Sequence, residues 1–271
     1  MSGLSHRPLY GSDASLAQRI GAAGVDWIVP AWPTPPGVHA FVTTRNGMSA
    51  AGPPQGANCA TSGGSAAATA ASVGGTPVFP EAFLPASPVW LTQVHGAEVV
   101  VCGAANATPP RADAAVTFGT NVVLAVRVAD CMPVLFADRA GSVIGIAHAG
   151  WRGLAGGVLE NTIAAMDCPQ SAILAWLGPA IGRNAFEVGA DVRDAFLRAD
   201  RAARHAFAEG RPGKWFADLE ALARMRLNRA GVTSIDGGGM CTVCDPARFF
   251  SFRRDRTSAR MAAFVWREAP R

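Results

Sequence analysis

Three short apolar runs end in a side chain that can bind a metal or act as a nucleophile, and this pattern constrains the fold most strongly. His95, Cys131 and His148 each follow a run typical of a buried strand, and residues that turn the backbone come next. The three residues are too far apart in sequence for a compact zinc finger or knuckle. The fold must therefore assemble any site that they share.

The order of strand and helix patterns indicates an α+β protein. Strand patterns dominate residues 89–151, a further strand at 173–177 is predicted to end at Gly178-Pro179, and a last core strand is predicted at 260–266. Helical spacing predicts helices at 153–166, 190–199 and 218–230. The mixture of hairpins and helices favours α+β layers with mixed sheets over a doubly wound parallel sheet.

With 271 residues, of which 49% are hydrophobic, the chain can bury a large core, and we predict one domain over residues 1–271. Residues 1–25 are predicted to be a loosely ordered N-terminal arm. Residues 50–76 are rich in Gly, Ala, Ser and Pro and are predicted to be a long connection. We expect a monomer.

The charge and the cysteine content indicate which ligands the protein binds and in which cellular compartment it folds. The net charge of +4 comes from scattered arginines, which favours small anions such as phosphate over a nucleic acid. Six cysteines are too few for a disulfide scaffold, and the first residues lack the apolar core of a signal peptide. We therefore expect a cytoplasmic protein with reduced thiols. No apolar run is long enough for a membrane span.

Two imidazoles and one thiolate can fill three positions of a tetrahedral zinc site. A water in the fourth position would have its pKa lowered from about 15.7 to about 7, which makes it a hydrolytic or deaminating nucleophile. The same set also fits a single copper ion. The alternative is that His95 and His148 are ordinary loop histidines and Cys131 a small core residue.

Several neighbouring side chains could assist such a site. Asp130 and Glu98 could orient an imidazole or take a proton, although a carboxylate there could equally be a turn or capping residue. Arg152 lies at the start of a predicted helix, where free amides favour an anion. Arg45 ends another strand and could bind the same anion.

Two other features allow more than one interpretation. Cys241 and Cys244 form a Cys-x-x-Cys motif, which could be half of a zinc ribbon, a redox pair or a structural element beside the site. Phe249, Phe250 and Phe252 fit a hydrophobic core, but one of these rings could also stack on a nucleobase.

Several sequence strings together resemble one bacterial family. They are Thr92-Gln93-Val94-His95-Gly96, Ala112-Asp113-Ala114, Ala129-Asp130-Cys131-Met132-Pro133-Val134, His148-Ala149-Gly150-Trp151-Arg152-Gly153, Leu177-Gly178-Pro179-Ala180-Ile181-Gly182, and Cys244-Asp245-Pro246 with Ser251-Phe252-Arg253-Arg254. The family has been labelled multicopper polyphenol oxidase or laccase and peptidoglycan editing factor, and more recently purine nucleoside phosphorylase. The resemblance spans about residues 38–268.

This resemblance implies a four-layer α/β/β/α sandwich and a site at His95, Cys131 and His148 that holds zinc or copper. It implies phosphorolysis of adenosine, inosine, guanosine and methylthioadenosine, with adenosine deamination as a companion reaction. A multicopper oxidase is not expected, because its copper ions need many imidazoles and the chain has five histidines.

On this hypothesis Arg45 and Arg152 hold phosphate, and His95 or His148 protonates the departing purine. Asp130 serves as the base in deamination. The alternatives are a single-copper phenol oxidase, a hydrolase linked to peptidoglycan editing that uses Cys131 as its nucleophile, and a binding module without activity.

Overall fold

Two mixed β-sheets stacked face to face form the centre of the structure, a computed structural model that describes residues 13–46, 72–73, 76–103 and 108–269. The strands are β1 Val38–Val42, β2 Ser72–Val73, β3 Thr76–Pro77, β4 Val89–Trp90, β5 Val99–Val101, β6 Ala114–Thr117, β7 Leu124–Val128, β8 Met132–Asp138, β9 Ile144–Ala149, β10 Ile173–Leu177, β11 Glu187–Val188, β12 Phe207–Glu209, β13 Trp215–Ala217, β14 Ser234–Gly237 and β15 Met261–Arg267. The helices are α1 Ala14–Ala22, α2 Trp151–Gly156, α3 Val158–Ala165, α4 Ala190–Ala199, α5 Leu219–Arg229 and α6 Phe252–Asp255, with 3₁₀ turns at Pro80–Phe83, Gln170–Ala172 and Arg201–Ala206.

The larger sheet has the strand order β14-β10-β8-β9-β6-β5 and the second sheet the order β1-β15-β7-β4. Both contain parallel and antiparallel neighbours: β5 runs parallel to β6, for example, whereas β8 and β9 are antiparallel. The described residues also contain two small sheets, β11-β13-β12 and β2-β3. The predicted α+β architecture with mixed sheets is confirmed.

Alternating side chains on the two large sheets fill three apolar cores and so define four layers. On β8, Leu135 faces the other sheet, whereas Phe136 faces the layer of α2 to α5. On β15, Val265 faces the larger sheet, whereas Phe264 faces α1. The layers are therefore helices, the six-stranded sheet, the four-stranded sheet and α1, which agrees with the α/β/β/α sandwich.

The predicted N-terminal arm is wrong from Asp13 onward. The Asp13 carboxylate accepts the Leu16 backbone N–H and caps α1, and Leu16 and Ile20 are buried against the four-stranded sheet. This amphipathic helix buries enough apolar surface to hold α1 against the four-stranded sheet. Residues 1–12 and most of the predicted 50–76 connection lie outside the described residues.

The single helix predicted at 153–166 is two helices. Gly157 has a φ of 96° and separates α2 from α3, since this left-handed conformation ends a helix. The predicted strands at 173–177 and 260–266 and the helices at 190–199 and 218–230 agree with the structure to within two residues. Within the described parts of the chain, no helix has the length and apolarity needed to cross a bilayer.

Candidate active site

His95, Cys131 and His148 meet at one end of β8 and β9, the central strands of the six-stranded sheet. Each offers one ligand atom, and these atoms all lie within 4.8 Å of one another. His95 is exposed, Cys131 is half-buried and His148 is buried. The two imidazole rings are 4.9 Å apart at 78°, so they approach edge to face. The structure thus brings together the three residues that end the apolar runs.

Strand register explains why residues distant in sequence become neighbours. In the antiparallel pairing of β8 with β9, His148 lies opposite Pro133, and Cys131 immediately precedes β8. The pairing of β6 with β9 sets Ala114 opposite Ala147, which places Asp113 beside His148. Adjacent strands therefore supply the thiol, one imidazole and a carboxylate.

Asp113 is fully buried and anchors both histidines. Its Oδ2 accepts the N–H groups of Val94 at 3.1 Å and Gly96 at 2.7 Å. Its Oδ1 accepts the His95 N–H at 2.9 Å and lies 2.8 Å from the Nδ1 of His148. His95 has a φ of 60°, a left-handed conformation in which successive N–H groups can converge on one anion.

These bonds keep Asp113 ionised. Burial raises the pKa of Asp113, but the hydrogen bonds from His148 and from the backbone outweigh burial and lower it overall. Asp113 belongs to one of the motifs that carry the family resemblance, but no role was predicted for it. The signal was present: an aspartate between two alanines at the start of a buried strand must find hydrogen-bond partners inside the protein.

Cys131 and His148 are an acid–base pair in the metal-free protein. Burial raises the pKa of Cys131, but the charge of His148 and hydrogen bonds from both imidazoles lower it to about 6. Burial lowers the pKa of His148, but Cys131 and Asp113 together raise it to about 9. Both shifts favour a thiolate beside an imidazolium at neutral pH.

The donor set fits a metal ion. Two imidazole nitrogens and one sulfur are the ligands preferred by zinc and by single copper ions. Metal-bound histidines usually donate their outer N–H to a carboxylate, and Asp113 holds the Nδ1 of His148 in this way. The three side chains can therefore hold a soft divalent metal, with Nε2 of His148 as its donor atom.

Gly150 has no room for a side chain because the cluster lies against it. A Cβ atom built at Gly150 would lie 2.8 Å from Sγ of Cys131 and 3.5 Å from Cδ2 of His95. By contrast, a Cβ atom at Gly156, in the same segment, would meet only Ala97 at an ordinary 3.6 Å. The close approach of backbone to sulfur therefore explains the glycine in this position.

We predict that Gly150→Ala displaces the Cys131 sulfur and weakens metal binding, measured with zinc as the probe, by about tenfold or more. Overpacking should cost about 1–3 kcal/mol of unfolding free energy. Titration with a chromophoric chelator and denaturant unfolding measure the two effects. Gly156→Ala is the matched control and should bind zinc like the wild type. Equal affinity in the two variants would contradict the packing argument.

A cavity of about 890 Å³ opens over the cluster. Its lining includes four arginines, namely Arg127, Arg152, Arg253 and Arg260, and the apolar side chains of Leu91, Trp151, Ile181, Phe186, Leu219 and Phe252. The Phe252 ring is 47% exposed, whereas Phe249 and Phe250 are buried in the core. One side of the cavity can thus bind an anion and another a flat apolar group.

The structure places Arg152, but not Arg45, among the described lining residues of the cavity. Arg152 lines the cavity, with its guanidinium 4.4 Å from the Trp151 ring centroid. Arg45 is exposed and is not among the described lining residues; its guanidinium lies over the Phe250 ring and donates to the Pro246 carbonyl. Residues 47–71, which follow Arg45, lie outside the described residues.

The three other lining arginines were missed. Arg127 alternates with buried residues on β7, and burial lowers its pKa to about 10, so it remains charged at neutral pH. Arg253 lies on α6 and Arg260 immediately precedes β15, and the sequence indicated Arg253 only as part of a family motif. Because these residues reach the cavity through long-range pairing, no local sequence pattern would have placed them there.

Asp130 lines the cavity but does not orient His148, because Asp113 holds that role. The Asp130 carboxylate accepts the Thr242 hydroxyl and the Arg253 backbone N–H, each at 2.6 Å. Glu98 is exposed, and its backbone carbonyl accepts the Asp113 N–H. The carboxylate that orients the His148 imidazole is therefore Asp113, and neither Asp130 nor Glu98 takes this position.

A four-layer α/β/β/α sandwich that carries a thiol and two imidazoles at adjacent strand ends, under an arginine-lined cavity, defines a distinct class of proteins. Residues 39–268 match the family described as "Multi-copper polyphenol oxidoreductase laccase". The chain belongs to this family.

Relatives of known name resemble this chain over nearly its whole length. A purine nucleoside phosphorylase of Xylella fastidiosa is 46% identical over 252 residues, covering 89% of this chain and 96% of the relative. Purine nucleoside phosphorylase YfiH of Escherichia coli is 45% identical over 249 residues, covering 88% and 98%. The crystal structure of a Neisseria meningitidis protein has a TM-score of 0.73 at 41% identity and covers 90% of this chain and all of that one.

The word laccase in the family description does not fit the small number of histidines in this chain. Among the described residues, one group of three side chains can hold a metal, and the whole chain has five histidines. A multicopper oxidase needs many more imidazoles. The site is therefore suited to a single ion.

Proposed function

We propose that the protein is a purine nucleoside phosphorylase. In this reaction phosphate attacks C1′ of the nucleoside as the bond from C1′ to the purine nitrogen breaks, which gives ribose 1-phosphate and the free purine. The observation that carries the proposal is one cavity with four arginines, an apolar wall and the His95–Cys131–His148 cluster. The names of relatives at 44–46% identity support it.

The arginines would bind phosphate. Arg152 and Arg260 present fixed positive charges to the cavity, and planar guanidinium groups match phosphate oxygens in pairs. The Arg127 guanidinium lies 4.4 Å from the Trp90 ring centroid and its backbone N–H donates to the Gln93 amide oxygen, so its position is well determined. Positive charge held beforehand also stabilises a phosphate that attacks a cationic sugar.

The apolar wall would bind the purine. The exposed ring of Phe252 faces the cavity, and the Arg260 guanidinium lies 5.5 Å from its centroid. Trp151 and Phe186 add aromatic surface on the same lining. Aromatic faces bind any purine base by stacking, which is compatible with adenosine, inosine, guanosine and methylthioadenosine as substrates.

The departing purine needs a proton, and we assign it to the histidines. His95 is exposed toward the cavity, whereas His148 is buried and fixed by Asp113. The raised pKa of His148, about 9, keeps a proton on this side chain at neutral pH when no metal is bound. A histidine nitrogen cannot hold a metal and donate a proton at once, so metal content should change the proton donor.

We propose zinc as the resident metal, with copper as the alternative, held by His95, Cys131 and His148. When bound, the metal would supply a Lewis acid that activates water, the chemistry needed for adenosine deamination as a companion reaction. Asp130 is the base that we assign to this second reaction. Its two hydrogen bonds, from Thr242 and from the Arg253 N–H, fix the orientation of the carboxylate at the cavity wall.

A nucleoside panel tests the proposal. Purified protein, once depleted of metal and once loaded with zinc, is incubated with each of the four nucleosides with and without phosphate. Release of the free purine and the corresponding sugar 1-phosphate (ribose 1-phosphate, or 5-methylthioribose 1-phosphate from methylthioadenosine) only when phosphate is present would support it. Phosphate-independent hydrolysis, or oxidation of a phenol by the copper-loaded protein with no phosphorolysis, would contradict it. Inosine formed from adenosine reports deamination separately.

We also propose a monomer that acts in the cytoplasm.

Removing one cavity arginine should act mainly on phosphate. We predict that Arg152→Ala raises the KM for phosphate by about tenfold or more, which corresponds to one charged hydrogen bond of about 1.5–3 kcal/mol. Arg45→Ala is the comparison, because its guanidinium lies over Phe250 and should change that KM by much less. Initial rates over a phosphate series measure both. A larger effect at Arg45 would restore it as the phosphate ligand.

A further inference from the structure

Cys241 and Cys244 form a pair of thiols that the phosphorylase site does not use. The pair lies in a turn that follows β14, and its two sulfur atoms are 2.9 Å apart. Cys244 is exposed and Cys241 is half-buried. Two thiols this close can join with little movement of the backbone.

The surroundings distinguish the two sulfurs. Sγ of Cys241 accepts the backbone N–H groups of Gly182 at 3.3 Å and Cys244 at 3.2 Å. Burial raises the pKa of Cys241, but the Cys244 thiol and these amides lower it overall, whereas contact with Cys241 raises the pKa of Cys244. These directions favour Cys241 as the nucleophile and Cys244 as the thiol that keeps its proton.

The turn itself is held rigidly. The Thr242 N–H donates to the Ala180 carbonyl at 3.0 Å, and its hydroxyl donates to Asp130 at 2.6 Å. The Arg254 guanidinium donates to the carbonyls of Thr242 at 2.8 Å and Val243 at 3.0 Å. These bonds fix the backbone between the cysteines, so the sulfurs are already positioned to react with each other.

A small molecule can reach the pair. A second cavity, of about 270 Å³, is lined by Cys241 and Cys244 together with Met132, Met240 and Glu220. Two other described thiols are less reactive, since burial is the main cause that raises the pKa values of both Cys102 and Cys168. A small molecule can therefore reach the pair, the pKa of Cys241 is lowered, and Cys244 is close enough to complete a disulfide with it.

We propose that Cys241 and Cys244 are a redox-active dithiol that low-molecular-weight disulfides, such as oxidised glutathione, convert to an intramolecular disulfide. The Cys241 thiolate attacks one sulfur of the small disulfide, forms a mixed disulfide and expels one thiolate. Cys244 then loses its proton to solvent and attacks Sγ of Cys241, which expels the second thiolate. The two cysteines lose two electrons in total and the small disulfide gains them.

The experiment follows the thiols by peptide mapping and mass spectrometry. Reduced full-length protein, as purified and without removal of metal, is treated with oxidised glutathione at neutral pH, and Cys131, the other thiol of lowered pKa, is mapped separately. The wild type should lose two hydrogens in the peptide that contains both cysteines. Cys244→Ser should instead trap a glutathionyl group on Cys241. In Cys241→Ser, position 244 should react slower by about tenfold or more.

Cys168→Ser is the matched control, since it removes another half-buried thiol outside the turn. This variant should form the same disulfide at the wild-type rate. The proposal is overturned if Cys241 and Cys244 stay reduced while Cys168 reacts, if the disulfide maps to another pair, or if Cys244→Ser traps no adduct. The main result, disulfide formation, is measured on the wild-type protein. It can therefore be interpreted even if a serine variant folds poorly.

Discussion

The Cys131→Ser variant is expected to lose phosphorylase activity and zinc affinity, each on the order of a hundredfold or more. Serine keeps the shape of the side chain but offers a neutral hydroxyl where the site holds a thiolate, since the pKa of Cys131 is lowered to about 6. Both imidazoles would lose the anion they hydrogen-bond. The phosphorolysis rate and zinc competition against a chelator measure the two effects.

Cys168→Ser serves as the control for this substitution, because Cys168 is also half-buried but belongs to no metal-binding group among the described residues. Its activity and zinc affinity should equal those of the wild type. If Cys131→Ser phosphorolyses nucleosides at the wild-type rate, the reaction does not depend on the cluster. Phosphorolysis would then take place at another site, and the role of the cluster would have to be sought among the alternatives given above.

Asp113→Asn should have the second large effect, on stability as well as on the site. The amide offers one oxygen in place of two, so its NH₂ group would face N–H donors from residues 94–96 or from His148. We expect a loss of about 3–5 kcal/mol in the free energy of unfolding, the usual range when a buried charged pair is broken. Activity and zinc affinity should fall by about tenfold to a hundredfold.

Asp138→Asn is a matched control, since Asp138 is also buried and accepts the N–H of Ser142 at 2.6 Å and of Val143 at 3.0 Å. It lies at the far end of β8 from Cys131, about 20 Å away along the strand. This variant should lose about 1–3 kcal/mol of stability but keep its zinc affinity. Equal zinc affinity in both variants would show that Asp113 has only a structural role.

The helices and strands could be predicted from the sequence because their signals are local. Apolar runs marked β6 to β10, and the Gly178-Pro179 pair marked the end of β10. The residues at strand ends also indicated that His95, Cys131 and His148 form a shared site. Glycine, however, is ambiguous within a helical pattern, and so the break at Gly157 was missed.

The role of Asp113 could not be predicted, because it depends on register between strands. Only the pairing of β6 with β9 places this carboxylate beside His148, and register is a long-range property. The cavity arginines share this difficulty: Arg253 reaches the site through a helix more than a hundred residues after Cys131. The capping aspartate of α1, by contrast, was a local signal that could have been read.

The Asp113 anchor also bears on how the protein would acquire its metal. One buried carboxylate fixes the His95 loop and His148 in the metal-free fold, so the ordering entropy of these ligands is lost during folding and not during capture of the ion. Loading should then be fast and should leave backbone amide chemical shifts unchanged beyond the immediate ligands. Such a preformed site would allow an ion to exchange without unfolding of the protein, and the metals supplied by the surrounding solution would then decide which one it carries.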